Sequence, residues 1–529
     1  MNGLPLLNIL IFVPIVAGIV LALAPQASRV AQVIGSIVSI GMLVLCGALT
    51  KTFIGGGDDF QYRTYANWIP TIGANYFVGV DSVAVWMMLL TAFLTLIAVL
   101  ISKPAERSNQ FFGLLLCLEG TLFGVFSSLD LLLFYTFFEL SLIPVALMIL
   151  GWGSGQKGKS ALRYVGVLFA GSLLMLVGIT VVGNQAAHHT GQPDLNLLHL
   201  QQFVKEGLWA NSWPLQSLAF WGFMIAFLVK SPVVPMHRWL ADTYEDAPIG
   251  AIVAGVVLKV GTFGMFRFVL PLFPDACRAY APIIVGIGVV GIVYGGILAA
   301  IQKNPGRLMA FSTVSHVGYI LIGLFSLNHY GMMGAAFQQV NHGIAAAAVF
   351  VLLSFLYDRT SVRSLDGLGG LKKTMPIFST LFLVAMLTNL GLPFTSGFVG
   401  EILALLGAFT AGHAGVNGLT PIFAYIATGG AVLSAGYMLY MYQRMFYGKR
   451  AEGSEPLRDL NPREMLIGTV FAVIILVLGI LPMTMLRSLE PRVQTIQAMT
   501  EAQKPAEIIV AKPTNPDLMA LKSQTEESR

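Results

Sequence analysis

The chain has 529 residues, of which 56% are hydrophobic and 11% charged, with a net charge of +5 and a mean hydropathy of +0.76. A soluble domain carries about a quarter charged residues, so this composition excludes an ordinary soluble globule and places the chain in the membrane class. The basic balance does not point to nucleic acid, because the lysines and arginines sit in short loops between apolar runs.

At roughly 20 residues per span plus short connections, there is room for about twelve to fifteen transmembrane helices. The first run, Leu4–Ala24, lacks the basic n-region and small-residue cleavage site of a signal peptide and reads as a retained span. Val33–Phe53, Asp81–Ile101, Phe111–Ser127, Leu131–Leu150 and Leu162–Val182 follow. Next come Leu215–Met236, Ile249–Phe273, Pro282–Ile301, Leu308–Leu327, Met332–Leu356, Ile377–Phe409, Ile422–Phe446 and Met465–Leu486. The expected fold is therefore an all-α polytopic membrane protein of about 14 transmembrane helices.

The seventh run contains Pro232 and Pro235, and the twelfth contains Pro393, Gly397 and Gly400. Both are predicted to break at membrane depth, which is tolerated only where the freed backbone lines a protein-buried or hydrated cavity. The breaks lie five spans apart, and an odd offset reverses direction, so the pattern predicts two inverted five-helix repeats. The expected layout is spans one to three in residues 1–110, a first repeat in 111–273 and a second in 274–447. A loop and the last span fill 448–486, and a polar tail follows in 487–529. Gly415–Gly418 and the stretch from Glu490 onward read as loop and as disordered or surface segment.

Connections after odd-numbered spans hold most of the basic residues, among them Lys103, Arg107, Lys157, Lys159, Arg163, Arg238, Lys303, Arg307, Lys372 and Lys373. Connections after even-numbered spans hold only Lys51, Arg63, Lys205, Arg267 and Arg278. The positive-inside rule makes the first group cytoplasmic and puts both termini on the other side.

Two nucleotide-like patterns are rejected. Gly153–Ser160 satisfies G-x-x-x-x-G-K-S but follows a membrane helix instead of a strand, so it reads as a basic cytoplasmic turn. Gly286-Ile287-Gly288-Val289-Val290-Gly291 fits the dinucleotide fingerprint but lies inside the ninth span, where glycines permit close helix packing. Cys46, Cys117 and Cys277 are too scattered to build a metal site or an iron–sulfur cluster, so no redox cofactor is expected in this chain.

The informative residues are charged and lie inside the spans: Glu139 in the fifth, Lys230 beside the break in the seventh, Lys259 in the eighth and Glu401 beside the break in the twelfth. Uncompensated, four such groups would cost about 10–14 kcal/mol on insertion scales, so they must be paired, hydrated or neutral. Glu139 and Lys230 form the natural pair, since a carboxyl and an ammonium sharing a low-dielectric space set one another's proton affinity. The alternative is a static buried ion pair that fastens two helices. His316 and His342 are placed to pass protons between Lys259 and Glu401, because neutral imidazole accepts on one nitrogen and donates from the other; hydrogen-bonded packing is the bland reading. Glu119, in the fourth span, is read as tuning Glu139 or as satisfying a local donor. Together the seven residues read as a proton pathway.

The stretch Phe227-Leu228-Val229-Lys230-Ser231-Pro232-Val233-Val234-Pro235-Met236-His237-Arg238-Trp239-Leu240, with Asp242, Glu245, Ala247 and Pro248, resembles the signature of the antiporter-like subunits of complex I. That family is similar to subunits of multisubunit cation/proton antiporters. Phe138-Glu139 with Pro144, Leu258-Lys259-Val260-Gly261, Ser315-His316-Val317-Gly318 and Gly397-Phe398-Val399-Gly400-Glu401 extend the resemblance from about Asp81 to Tyr447. Glutamate at position 401 resembles the M, or chain 4, type, where the L and N types and the antiporters usually carry lysine. Ala241 and Tyr244 depart from the usual pattern, in the cytoplasmic turn.

The resemblance implies a proton-pumping membrane-arm subunit of an NAD(P)H:quinone oxidoreductase. Flavin, iron–sulfur clusters and quinone would sit in other subunits, with L- and N-type subunits as neighbours in a bacterial plasma or thylakoid membrane. The rival reading is a subunit of a sodium/proton antiporter.

Overall fold

The computed structural model describes residues 5–25, 28–54, 60–104, 106–210, 212–246, 253–449 and 457–501. Ala247, Pro248 and the tail beyond Glu501 lie outside the described residues. In hydrocarbon every backbone N–H and C=O must bond within its own segment, so long apolar runs fold as helices. Thirteen helices among the described residues are long and apolar enough to cross a membrane. The remaining predicted run, Ile377–Phe409, is divided into two shorter helices.

The chain opens with α1 (Leu6–Leu23) and α2 (Ser28–Phe53), followed by a hairpin of β1 (Gln61–Ile69) and β2 (Ala74–Val80). Helices α3 (Ser82–Ile101), α4 (Ser108–Ser127), α5 (Leu131–Leu140), α6 (Leu142–Trp152) and α7 (Lys157–Thr190) come next. After the short α8 (Leu197–Lys205), α9 (Trp213–Lys230) stops before the proline turn and α10 (Arg238–Asp246). The eighth span centres on α11 (Lys259–Gly264), flanked by π-helical turns at Val253–Val257 and Met265–Val269. The second half comprises α12 (Pro274–Ala300), α13 (Pro305–Phe325), α14 (His329–Tyr357), α15 (Pro376–Asn389), α16 (Ser396–His413) and α17 (Ile422–Phe446). It closes with α18 (Pro462–Ile480) and α19 (Met483–Glu501).

Burial sorts these helices. The eighth span is buried along its whole apolar window, α13 along 94% and α14 along 89%, whereas α2 reaches 33% and α18 28%. The central three carry Lys259, His316 and His342, and the outer ones present leucine, isoleucine and valine outward, as lipid-facing helices do.

Four features correct the sequence reading. The all-α expectation misses the antiparallel hairpin, which pairs Gln61 with Val80 and Asn67 with Asn75. It is stitched to the segment before α5 through Leu129 N–H to Phe77 O at 2.8 Å. The hydrogen-bond ladder of the fifth span is interrupted at Ser141 between α5 and α6, where the backbone stays helical and Pro144 three residues on lacks an N–H. The stretch from Glu490, expected as disordered or surface tail, continues α19 as far as Glu501. Its apolar stripe of Met485, Leu489, Val493 and Ile496 is buried against α3, α12 and α14. Finally, Arg267, expected in a connection after an even-numbered span, is fully buried within the eighth span.

Candidate functional site

At the centre of the molecule four predicted residues, from four different helices, form one file. Lys259 Nζ lies 2.8 Å from His342 Nδ1, the His342 and His316 ring centroids are 5.1 Å apart, and His316 Nδ1 lies 2.8 Å from Glu401 Oε1. All four side chains are buried. A π turn widens the helix by one residue per turn, and such turns on both sides of α11 re-aim Lys259 relative to a regular helix. Close backbone approach completes the placement: a Cβ on Gly343 would lie 2.6 Å from the Gly255 carbonyl oxygen, so glycine is required where α14 passes the first π turn. At the other end Gly391 adopts φ +73° in the break between α15 and α16, and a Cβ there would meet Glu401 Oε2 at 2.6 Å.

Amides and a hydroxyl line this file. Gln338 Nε2 donates to Glu401 Oε1 at 3.2 Å, and Asn341 Nδ2 donates to Gln338 Oε1 at 2.9 Å. Thr262 Oγ1 approaches Gln339 Oε1 at 3.1 Å. The hydrogen bonds imply a proton polarity. A Lys259 ammonium donating to His342 Nδ1 leaves the His342 proton on Nε2, and a His316 Nδ1–H donating to the Glu401 carboxylate leaves a lone pair on His316 Nε2. Both Nε2 atoms are buried without a protein partner. Unpaired buried polar groups are costly, and a step that joins these two would relieve both at once.

The first-half residues are arranged differently. Lys230, at the last turn of α9, makes no ion pair with Glu139. Its ammonium lies 3.4 Å from Ser141 Oγ and 4.7 Å from the Phe138 ring centroid. Ser141, at the junction of α5 and α6, faces Lys230, while half-buried Glu139 leaves Oε1 without a partner. The expected contact pair is thus corrected to two charges in each other's field but not in contact. Ser231, the next residue after Lys230, lies 3.4 Å by its hydroxyl from the carbonyl of Leu258, the residue before Lys259. The two lysines are therefore joined through adjacent backbone. Glu119 is fully buried on α4, beside Ser39 and Cys46 of α2.

The sequence reading missed a second buried charge cluster. Asp81 caps α3 and accepts from Arg267 Nη2 at 2.7 Å, with Arg492 Nε of α19 3.0 Å from its other oxygen. Both guanidinium groups lie over the Phe60 ring. The available signal was Arg492 at helical spacing among the apolar positions of α19. Asp130 is a further case: Asn75, Leu132 and Leu133 donate backbone N–H groups to it, yet burial pushes its carboxyl up to about 6, with the nearby Asp194 charge adding to the rise.

Broken helices around a file of buried acids and bases define a polytopic membrane protein of the ion-translocating, antiporter-like class. The chain belongs to the NADH:quinone oxidoreductase/Mrp antiporter transmembrane family, whose model matches residues 128–425. It is 34% identical to NADH-quinone oxidoreductase subunit M of Rhodobacter capsulatus, over 90% of this chain and 93% of the relative. It is likewise 34% identical to NADH-ubiquinone oxidoreductase chain 4 of Marchantia polymorpha, over 92% and 96%. A chain of respiratory complex I from Thermus thermophilus with bound NADH superimposes with a TM-score of 0.82 at 27% identity, covering 93% of this chain and 99% of that one. A chain of the Mrp complex from Dietzia sp. DQ12-45-1b shares the fold at 22% identity, with a TM-score of 0.79 over 94% and 99%.

Proposed function

We propose that this chain is the M-type, proton-translocating membrane-arm subunit of an NAD(P)H:quinone oxidoreductase. The observation that carries the mechanism is the file of two hydrogen-bonded pairs, Lys259–His342 and His316–Glu401, with the two histidine rings 5.1 Å apart between centroids. Protons enter from the basic face near Lys230 and Lys259, pass along His342 and His316, and leave through Glu401 toward the opposite face. The tautomers fit that direction: Lys259 gives a proton to His342 Nδ1, His342 Nε2–H passes one to His316 Nε2, and His316 Nδ1–H delivers one to Glu401. Crossing between the two Nε2 atoms takes a bridging water or a ring rotation. Thr262, Gln338 and Asn341 hold the file in register.

Moving one charge against 100 mV costs about 2.3 kcal/mol, so the file needs an external drive. Glu139 and Lys230 transmit it by field. A charge change in a neighbouring subunit alters Glu139, which alters Lys230, and the Ser231–Leu258 link brings that event to the residue beside Lys259. Flavin, iron–sulfur clusters and quinone belong to other subunits of the complex, and L- and N-type subunits are the neighbours. The reading places both termini on the non-cytoplasmic side of a bacterial plasma membrane, with a thylakoid membrane as the alternative. The inverted repeats of residues 111–273 and 274–447 put Lys230 and Glu401 beside corresponding breaks.

The test is Glu139→Gln in the assembled complex, with quinone turnover and proton translocation recorded together in membrane vesicles. Loss of both with assembly intact supports a coupling role. Unchanged electron transfer with loss of sodium-dependent proton exchange alone would favour an antiporter instead.

A further inference from the structure

The rejected G-x-x-x-x-G-K-S stretch turns out to line a cavity. Its second half, at the start of α7, meets α10 and the start of α13 around a space of about 370 Å³ on the basic face. Lys159, Arg163, Arg238 and Arg307 line it with a single carboxylate, Asp242. That carboxylate is already shared, held by Arg163 and lying 3.8 Å from Arg307. Lys159 and Arg238 make no ion pair among the described residues. Two cations thus face one polar cavity without a counter-charge, and α7 begins there with its first-turn backbone N–H groups unsatisfied within the helix.

The neighbouring surface indicates the source of the missing anion. Directly beyond the cavity α7 presents Leu162, Phe169 and Leu173 outward, 76%, 46% and 43% exposed, as one apolar stripe running down the span. A free phosphate would use only the cations, whereas an anionic phospholipid would use both features. Its phosphate would sit among the arginine forks and its acyl chains along the stripe. No strand precedes the turn, so a nucleotide-hydrolase loop is not formed.

We infer that this cavity binds the phosphate headgroup of an anionic phospholipid. The bound headgroup bridges α7, α10 and α13, and so fastens the segment after the broken seventh helix to the second half of the chain. The inference does not depend on the proton file.

The test uses the assembled complex purified in detergent and stripped of loosely held lipid. Wild type is compared with a Lys159→Gln/Arg238→Gln variant and with a Lys372→Gln/Lys373→Gln control that removes equal charge elsewhere on the same face. Co-purifying phospholipid is quantified by mass spectrometry, and labelled inorganic phosphate binding is measured separately. The site variant is expected to retain about tenfold less anionic phospholipid than wild type and control, with no saturable phosphate binding in any of them. Equal lipid retention by all three would overturn the inference. Saturable phosphate binding abolished by the site variant, with lipid unchanged, would overturn the lipid source as well.

Discussion

The two halves of the charged axis are built on opposite principles. In one, Lys259 with His342 and His316 with Glu401 each pair at 2.8 Å, the two histidine rings lie 5.1 Å apart between centroids, and the four residues sit in the three most buried spans and beside the break at Gly391. In the other, Glu139 and Lys230 do not touch, and the weak 3.4 Å contact of Lys230 with Ser141 is its only hydrogen bond among the described residues. A preorganised file conducts well but is poor at responding, because Lys259 and Glu401 at its two ends are already bonded to their histidines. A loose pair responds to an applied field because little has to be broken. The comparison assigns conduction to one region and control to the other.

The largest effect should come from cutting the file. His316→Leu removes both the acceptor facing His342 and the donor to Glu401, and proton translocation should fall about a hundredfold in vesicles while the complex stays assembled. Gln338→Leu leaves the file intact but removes one charge-assisted hydrogen bond to Glu401, so pumping measured the same way should slow about tenfold. Ser141→Ala touches the loose pair alone, and a loss of less than about threefold would mark its contact as incidental to the field coupling. A loss as large as that of His316→Leu would erase the contrast between the halves.

Asp130 lies outside both regions and should have the smallest effect on pumping. Its folded carboxyl titrates at about 6, above the ordinary range, so protonation favours the docked hairpin. Its contribution is fully present below the unfolded value near 4 and fades as pH rises through about 6. Hydrogen-exchange protection at Asn75, Leu132 and Leu133, corrected for intrinsic rates, should fall across that window in wild type and stay flat in Asp130→Asn.

Much of this was legible in the sequence because hydrocarbon imposes a length and a polarity that single residues cannot disguise. Pro232 and Pro393 announced the breaks, and charges at membrane depth pointed to Lys259, the two histidines and Glu401, though not to the order in which His342 and His316 stand between them. What escaped depended on geometry without a residue-type signature. Nothing in Val253–Val257 or Met265–Val269 separates a π turn from a regular one, yet those turns flank and aim Lys259. The Glu139–Lys230 contact was overestimated because opposite charges inside the fifth and seventh spans predict proximity but not the direction each side chain takes. Arg492 and Asp81 were passed over because α19 is polar in composition, and its buried stripe emerges only once the helix is laid across α3.

The central claim is that Lys259 injects protons into the file. The most direct measurement is the proton-to-electron ratio of assembled complexes carrying Lys259→Ala, taken in sealed vesicles. A sharp fall in translocated protons with the complex intact is predicted. A variant that pumps at the wild-type ratio would contradict the account.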